Sequence, residues 1–299
     1  MKTEAKLLEE LKLKISKIDY LKTLKVLTTD QGTYTLKVKK NNTAETYNYL
    51  NSRNFSNYLS PIPLKNNQYE MYPYLIEKKM PASDKAIDLV YTMALLHNKT
   101  TSYENTDLDK IKEIYENETA QIAKLKNYYL DLQDYIENKI FMSPADYLLI
   151  RNISSVYLAL DNAKRRLDNW YSLHKNEKRE RHVLLHNNIS LDHFLISDDS
   201  FLINWNNAKK GLVVYDFLNF FHNDYDNLEM KSLFELYQSK YQYTPSEKLL
   251  FESLILIPPK LEFKKDNLVN TITTRKFINY VLKSLSFVLK DNEEDQKAQ

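Results

Sequence analysis

Apolar and polar residues alternate along the first part of the chain, with the period of two that is typical of β-strands. The alternation runs over residues 20–39, where LKVLTT and TYTLKV are separated by the turn sequence DQG. An aspartate and a glycine between two alternating runs favour a tight turn. This region predicts a β-hairpin, and the stretches 60–63 and 69–75 are expected to complete a small antiparallel sheet.

Apolar residues three or four positions apart predict α-helices, mainly in the rest of the chain. The predicted helices cover residues 4–15, 44–52, 81–99, 108–142, 143–170, 245–256 and 266–289. Ser143 and Thr244 each precede a proline and lie three residues before an acid, which is the sequence of a helix N-cap. Ser83 is the expected N-cap of the helix over 81–99.

Strands therefore come first along the chain and helices follow. This order predicts an α+β fold of two lobes, a small antiparallel β lobe over residues 1–76 and a large α-helical lobe over residues 77–299. A chain of 299 residues is long enough for two lobes that share a core. The run of mixed charge at 175–182 is expected to be a solvated connector.

Residues 184–221 interrupt the helical part with a different pattern. A short apolar strand leads into a polar loop and then into a second predicted β-hairpin, with strands over 194–196 and 201–203. Asn204 follows this hairpin, and Asp216 lies twelve positions later at the start of an aromatic helix. The candidate chemistry of the chain lies in this stretch.

Composition limits the kinds of chemistry that are open to the chain. Hydrophobic residues make up 43% and charged residues 27%, as in ordinary globular proteins. The absence of cysteine excludes disulfides and cysteine zinc sites, and two glycines are too few for a glycine-rich phosphate loop. A net charge of +2 does not favour nucleic acid, and no apolar run is long enough for membrane insertion.

Three short motifs of the central stretch resemble those of the aminoglycoside/choline phosphotransferase branch of the protein-kinase-like superfamily. That family has H-G-D-x-x-x-x-N in its catalytic loop, hydrophobic-D-[FW]-[DE] after a hairpin, and Y-D-L at the next helix. Residues 186–193 (HNNISLDH), 203–206 (INWN) and 215–217 (YDF) match these motifs in order. The resemblance implies a bilobal, aminoglycoside phosphotransferase-like fold.

The resemblance also implies a nucleotide site. Lys37 is flanked by apolar residues on a predicted strand, like the nucleotide-binding lysine of kinase strand three. Such a lysine pairs with phosphate oxygens and with a carboxylate of the next helix, and Glu45 is the only acid in the helix predicted there. Tyr74 lies in the segment that corresponds to the hinge, whose backbone holds adenine in the family.

The positions that carry catalytic charge in the family hold neutral residues here. Asn188 takes the place of the catalytic aspartate, and an amide cannot accept a proton from an alcohol. His193 and Asn204 take the two magnesium-ligand positions, although imidazole and a neutral amide suit hard Mg²⁺ poorly. The pattern predicts a pseudokinase without a cofactor; if activity remains, its cofactors are ATP and magnesium.

Two members of the pattern that serve structure in the family are retained. The resemblance implies that His186 packs and hydrogen-bonds under the loop, and that Asp216 accepts backbone N–H groups from it. Asp192 lies beside a metal position and leaves open a rescued cation site, although its side chain is expected to point outward.

Within the superfamily, the chain resembles the spore-coat kinase-like proteins of low-GC Gram-positive bacteria, the CotS/YutH type. The DQGTYTLKV hairpin, the long helical insertion and the HNN-x₄-HFL loop carry this resemblance. It implies synthesis in the mother-cell cytoplasm and a place on the spore coat, in assembly with other coat proteins. Two alternatives stay open: an ATP-dependent phosphotransferase of the aminoglycoside or choline type, and an unrelated helical interaction protein.

Overall fold

The computed structural model describes residues 13–21, 24–64 and 68–297, with side chains as far as Leu289. In chain order its elements are β1 (Ile15–Leu21), β2 (Leu24–Thr29), β3 (Gly32–Val38), α1 (Ala44–Ser52), β4 (Tyr69–Pro73), α2 (Ala82–Thr100), β5 (Ser102–Asn105), α3 (Leu108–Glu137), α4 (Pro144–His174), β6 (Arg179–Leu185), β7 (Phe194–Ile196), β8 (Ser200–Leu202), β9 (Lys209–Leu212), α5 (Val214–Asp224), α6 (Met230–Lys240), α7 (Pro245–Leu256) and α8 (Asn267–Lys297). The order of an antiparallel sheet followed by helices confirms the predicted α+β fold.

The chain divides into two compact units. One lies within residues 1–100 and 186–209, and the other within residues 101–185 and 210–299. The lobe boundary predicted between residues 76 and 77 stays a prediction. Among the described helices, none combines the length and the apolar character needed to cross a membrane.

The first unit is built on an antiparallel sheet in the order β1-β2-β3-β4. The predicted hairpin is present as β2 and β3, and its turn requires Gly32, whose φ of 137° is open to glycine and strained for other residues. Leu27, Leu36 and Met71 form the apolar cluster of the sheet. In the predicted strand over 60–63, Ile62 forms an antiparallel bridge to Met71.

Strand β1 lies where the sequence predicts the end of a helix. Most of the predicted helix over 4–15 lies outside the described residues, but Ile15 begins the strand and pairs with Thr29 of β2. The helix prediction is therefore wrong at Ile15. Backbone pairing with β2 stabilises this edge strand, and the periodicity of side chains does not report such pairing.

Helix α1 has the predicted bounds and a well-formed end. Asn54 follows it with a φ of 54°, its N–H donates to the carbonyl of Asn51 at 3.0 Å, and the N–H of Phe55 donates to the carbonyl of Leu50 at 3.0 Å. These two bonds form a Schellman motif, which satisfies the last carbonyls of the helix. The motif fixes the direction in which the chain leaves α1.

Several element boundaries differ from the predictions. Helix α2 begins at Ala82, so Ser83 is its second residue and is not the N-cap. Strand β8 begins at Ser200, one residue before the predicted start, and helix α3 ends at Glu137 rather than at residue 142. Helix ends depend on local capping contacts that periodicity alone does not locate.

The second unit is mainly helical. Helix α4 packs against α3, α7 and α8, and strands β5, β6 and β9 form a sheet in the order β5-β6-β9. Both predicted N-caps are present and form capping boxes, since Ser143 and Thr244 accept the N–H of Asp146 and Glu247 at 3.2 Å. The connector predicted over 175–182 is wrong in its second half, because β6 begins at Arg179 and pairs with β5.

Candidate functional site

Lys37 lies opposite Glu70 in the register of strands β3 and β4. The Nζ atom of Lys37 is 3.3 Å from Oε2 of Glu70, whose side chain is only 6% exposed. Residues directly opposite on antiparallel strands place their side chains on the same face of the sheet. The ammonium group therefore lies beside the carboxylate and offsets the cost of burying its charge.

Two further side chains donate hydrogen bonds to this carboxylate. Thr43 Oγ1 donates to Oε1 at 3.1 Å, and the hydroxyl of Tyr72 donates to Oε2 at 2.9 Å. The hydroxyl of Tyr47 lies 3.3 Å from that of Tyr72, and burial raises the pKa of both phenols. Lys37 Nζ also lies 5.0 Å from the ring centroid of Tyr72. The result is a buried polar cluster around one charged pair.

The carboxylate that pairs with Lys37 is Glu70 rather than Glu45. Glu45 is exposed in the first turn of helix α1. The sequence interpretation searched the next helix, as in kinases, whereas the acid comes from the neighbouring strand. Its signal in the sequence is an acid inside the apolar strand YEMYP, which is a costly residue to bury unless it has a partner.

Tyr74 follows strand β4 and is 44% exposed. Its backbone N–H donates to the carbonyl of Thr33 at 3.0 Å, so this hinge donor is used within the protein. Its assignment to a nucleotide site stays a prediction.

His186 lies at the start of the loop and is fully buried. Its Nε2 atom lies 2.9 Å from the carbonyl oxygen of Ile203, and its ring meets the ring of Trp205 edge-on at 4.7 Å. Since a carbonyl only accepts, Nε2 donates. These contacts join the loop to the segment after the second hairpin; the scaffold role that the motif implies for His186 stays a prediction. Asn187, next to it, adopts a φ of 57°, which asparagine tolerates better than most residues.

His193 forms hydrogen bonds through both ring nitrogens. Nδ1 lies 2.8 Å from the carbonyl of Asn188, and Nε2 lies 3.2 Å from Nδ2 of Asn204. The carbonyl requires a proton on Nδ1, so Nε2 carries a lone pair that accepts from the Asn204 amide. This arrangement uses the neutral form of the imidazole.

Asn204 adopts a left-handed conformation with a φ of 69°. Its Oδ1 atom accepts a hydrogen bond from Nδ2 of Asn206 at 2.8 Å. Asn41 Nδ2 in turn donates to the backbone carbonyl of Asn206 at 2.7 Å. A continuous chain of hydrogen bonds thus runs from Asn206 through Asn204 and His193 to the loop carbonyl of Asn188.

The side-chain atoms at the two metal-ligand positions do not fit a magnesium ion. The amide oxygen of Asn204 and the lone pair of His193 already accept hydrogen bonds, and magnesium prefers carboxylate and water oxygens. Asp192, the acid within the loop sequence 186–193, is exposed. Within the described part of the chain, no group of three or more His, Asp or Glu side chains is arranged to hold a metal.

Asp216 belongs to the second unit. It lies in the first turn of α5 and is fully buried. Burial raises the pKa of Tyr237 and of Tyr243 well above the ordinary value, and the negative charge of Asp216 adds to the effect. The implied role of Asp216 in fixing the loop stays a prediction.

Comparison with known proteins bears on the fold. No protein-family model and no curated protein matches the sequence. An aminoglycoside phosphotransferase from Alicyclobacillus acidocaldarius is similar in structure, with a TM-score of 0.70 and 12% identity over 95% of this chain and 93% of that one. A spectinomycin phosphotransferase in an AMP-bound complex gives a TM-score of 0.56 and 11% identity over 96% and 94% of the two chains.

The same spectinomycin phosphotransferase in complex with ADP and spectinomycin gives 0.55 and 11% identity over 95% and 98%. At such identities the likeness shows the fold alone. The chain has the aminoglycoside phosphotransferase-like fold, as its motifs predict.

Proposed function

We propose that the protein is a pseudokinase, a kinase-fold protein that acts by binding and does not transfer phosphoryl groups. The observation that carries this proposal is the hydrogen-bond chain from Asn206 through Asn204 and His193 to the carbonyl of Asn188. Every side chain in it is neutral, and the groups at the metal-ligand positions are bonded to one another.

Chemistry supports the same conclusion. Transfer to an alcohol requires a group that takes or orients the hydroxyl proton, and cations that offset the charge of the phosphates. Asn188 has no basic oxygen for the proton. Lys37 supplies one positive charge for the phosphates, but the positions of the metal ligands, His193 and Asn204, hold no carboxylate that would bind a cation. The charge pattern therefore favours binding over turnover.

The test is a turnover assay with Mg²⁺ and γ-labelled ATP, with water, an aminoglycoside and choline as acceptors. We expect no phosphorylated product and no ATP hydrolysis above that of the Lys37→Ala variant. Phosphorylation of any acceptor by the wild-type protein, lost in Lys37→Ala, would overturn the proposal.

An ATP-dependent phosphotransferase acting on an alcohol is the second candidate. It is favoured by the buried pair of Lys37 and Glu70, because a nucleotide-binding lysine needs a carboxylate partner. The similar structures are an aminoglycoside phosphotransferase and a spectinomycin phosphotransferase, which suggests an aminoglycoside as acceptor. This candidate predicts ATP binding that Lys37→Ala abolishes in a thermal-shift titration. Equal binding by both proteins would remove it.

We further propose that the protein lies on the spore coat and binds other coat proteins during assembly. The support is the sequence resemblance to spore-coat kinase-like proteins. Immunodetection in purified coat layers of the source cells, with a deletion strain as control, tests it. Detection of the protein in growing cells and not in coats would remove this setting.

A further inference from the structure

The first turns of helix α8 display aliphatic side chains to solvent. Leu268 is 69% exposed, Ile272 is 51% exposed and Val269 is 38% exposed. These positions are neighbours on the helix surface, because residues three or four apart lie one turn apart. We call the three residues the aliphatic patch. Single exposed apolar residues need no explanation, whereas a contiguous group is a candidate interaction site.

The aliphatic patch lies on the side of α8 that faces away from the core. The buried residues of the same segment mark the core-facing side of the helix, and they are Asn270, Thr274 and Phe277. With about 3.6 residues per turn, Leu268 and Ile272 lie on the opposite side. Packing of α8 against the rest of the unit therefore leaves a large part of these two side chains in water.

Hydrogen bonds fix the loop before α8 to the start of the helix. Asp266 Oδ1 accepts the N–H groups of Leu268 at 2.8 Å and of Val269 at 3.2 Å. Asn270 Oδ1 accepts the N–H of Lys264 at 2.7 Å, and Asn270 Nδ2 donates to the carbonyl of Lys264 at 2.8 Å. The backbone beside the aliphatic patch is therefore held in one conformation. A surface that is already ordered loses little entropy when it docks.

Basic residues flank the aliphatic patch. Lys264 and Lys265 precede it in the loop, and Arg275 and Lys276 follow Ile272 by one turn; all four are exposed. In the sequence, positions 267–290 contain no acid. A cluster of about four or more Lys and Arg residues beside apolar side chains on a helix is typical of binding to anionic lipids.

Acids of the neighbouring segments do not cancel this charge. Glu262 lies 3.1 Å from Nζ of Lys260, which is not one of the four. Asp226 accepts a hydrogen bond from Asn279, which lies in the next turn of α8 beyond the basic residues. Asp266, whose carboxylate caps the helix, offsets one of the four cations. The surface around the aliphatic patch therefore carries an excess of positive charge.

We propose that this face of α8 docks on the surface of an anionic lipid bilayer, with the aliphatic patch at the acyl boundary and the four basic side chains among the headgroups. Aliphatic side chains gain free energy when they leave water, and the basic residues attract anionic lipid. Nucleic acid would be attracted by the same charges, but aliphatic side chains offer its bases no stacking surface. The proposed contact lies at the bilayer surface and needs no spanning helix. It concerns the second unit only and does not depend on the proposed function.

The experiment is flotation of the full chain with lipid vesicles. One set of vesicles contains phosphatidylcholine alone, and the other contains equal parts of phosphatidylcholine and phosphatidylserine. We expect the wild-type protein to float with the second set and not with the first. Salt screens exposed charges, so added salt is expected to lower the bound fraction.

Two variants locate the contact on α8. Lys276→Ala is expected to weaken binding about fivefold, the usual contribution of one basic residue at an anionic surface. Ile272→Ser is expected to weaken it about fivefold or more, because it withdraws apolar area from the lipid. The matched controls are Lys112→Ala, at an exposed lysine of α3, and Leu173→Ser, at a 42% exposed leucine in the last turn of α4. Both controls are expected to bind like the wild type.

Thermal unfolding of the four variants guards against misfolding. Each substitution lies at an exposed position, so each variant is expected to melt close to the wild-type protein. Absence of binding to both sets of vesicles, equal binding to both, or binding that Ile272→Ser and Lys276→Ala leave unchanged overturns the proposal. If Lys276→Ala alone weakened binding, charge alone would hold the protein on the lipid, and docking of the aliphatic patch would be excluded.

Discussion

His193 and Asn204 are joined by a hydrogen bond of 3.2 Å between Nε2 and Nδ2. Both occupy positions that hold metal ligands in the family motif. The bond satisfies the imidazole and the amide without a cation, and Asn206 completes it on the other side at 2.8 Å. These two bonds form a polar network in which no side chain is a carboxylate.

Restoring the charged residues is expected to restore metal dependence. The triple variant Asn188→Asp, His193→Asn, Asn204→Asp breaks the link between residues 193 and 204 and adds two carboxylates, the ligand type that magnesium prefers. We expect ATP with Mg²⁺ to raise the melting temperature of this variant more than ATP alone. Aspartate tolerates the left-handed backbone at position 204, so the variant is expected to fold.

The control for that experiment is Asn207→Asp, which adds a carboxylate at an exposed neighbouring position. For this variant and for the wild-type protein, ATP with Mg²⁺ is expected to raise the melting temperature no more than ATP alone. A wild-type increment equal to that of the triple variant would contradict the interpretation of the network as metal-independent.

Local sequence signals predicted much of the fold. The β2–β3 hairpin follows from two alternating runs around DQG, and the starts of α4 and α7 follow from Ser143 and Thr244. These features depend on residues close together in the sequence, so the sequence is enough to locate them. Strand β1 was not predicted, because pairing with β2 stabilises it more than its own side chains do.

Some residues of the candidate site could be predicted from local sequence, and others could not. The sequence singled out His186, His193 and Asn204 by the spacing of their motifs, and Lys37 by its apolar neighbours on a strand. Glu70 was missed, because its role depends on the register between β3 and β4, which 32 intervening residues leave undetermined. The hydrogen bonds among Asn206, Asn204 and His193 were not predicted, because they depend on side-chain orientation, which a motif does not specify.

Glu70 is expected to matter for stability and Glu45 is not. Glu70→Gln removes the partner of Lys37 and leaves a half-buried ammonium group beside a neutral amide. Breaking such a pair is expected to lower the free energy of unfolding by about 2 kcal/mol or more. Glu45→Gln, at an exposed helix position, is expected to change it by less than about 0.5 kcal/mol. Urea unfolding measures both, and equal effects would show that Glu70 does not anchor the cluster.

Asn54 offers a test of the end of α1. Its φ of 54° is left-handed, so Asn54→Gly is expected to be neutral or to stabilise slightly, because glycine adopts this conformation without strain. Asn54→Val places a β-branched residue there and is expected to cost about 1–2 kcal/mol. Thermal unfolding of the two variants checks the order. A valine variant as stable as the glycine variant would mean that the Schellman motif is absent in solution.

The ion pair of Asp146 predicts a pH dependence of stability. Burial opposes the charge of Asp146, but hydrogen bonds from Lys139 and Ser143 outweigh it and lower the pKa of the carboxyl below its ordinary value. A carboxyl with a lowered pKa in the folded state contributes stability above its unfolded pKa of about 3.9, and this contribution is lost as the pH falls through the folded value. We therefore expect the free energy of unfolding in urea to be lower for Asp146→Asn than for wild type at neutral pH. We expect this difference to disappear in strong acid. Asp131→Asn, at an exposed acid of α3, is the control, and its free energy of unfolding is expected to stay close to that of wild type at every pH. If the difference in free energy between wild type and Asp146→Asn stayed constant down to the lowest pH, the effect of the substitution would come from packing rather than from charge.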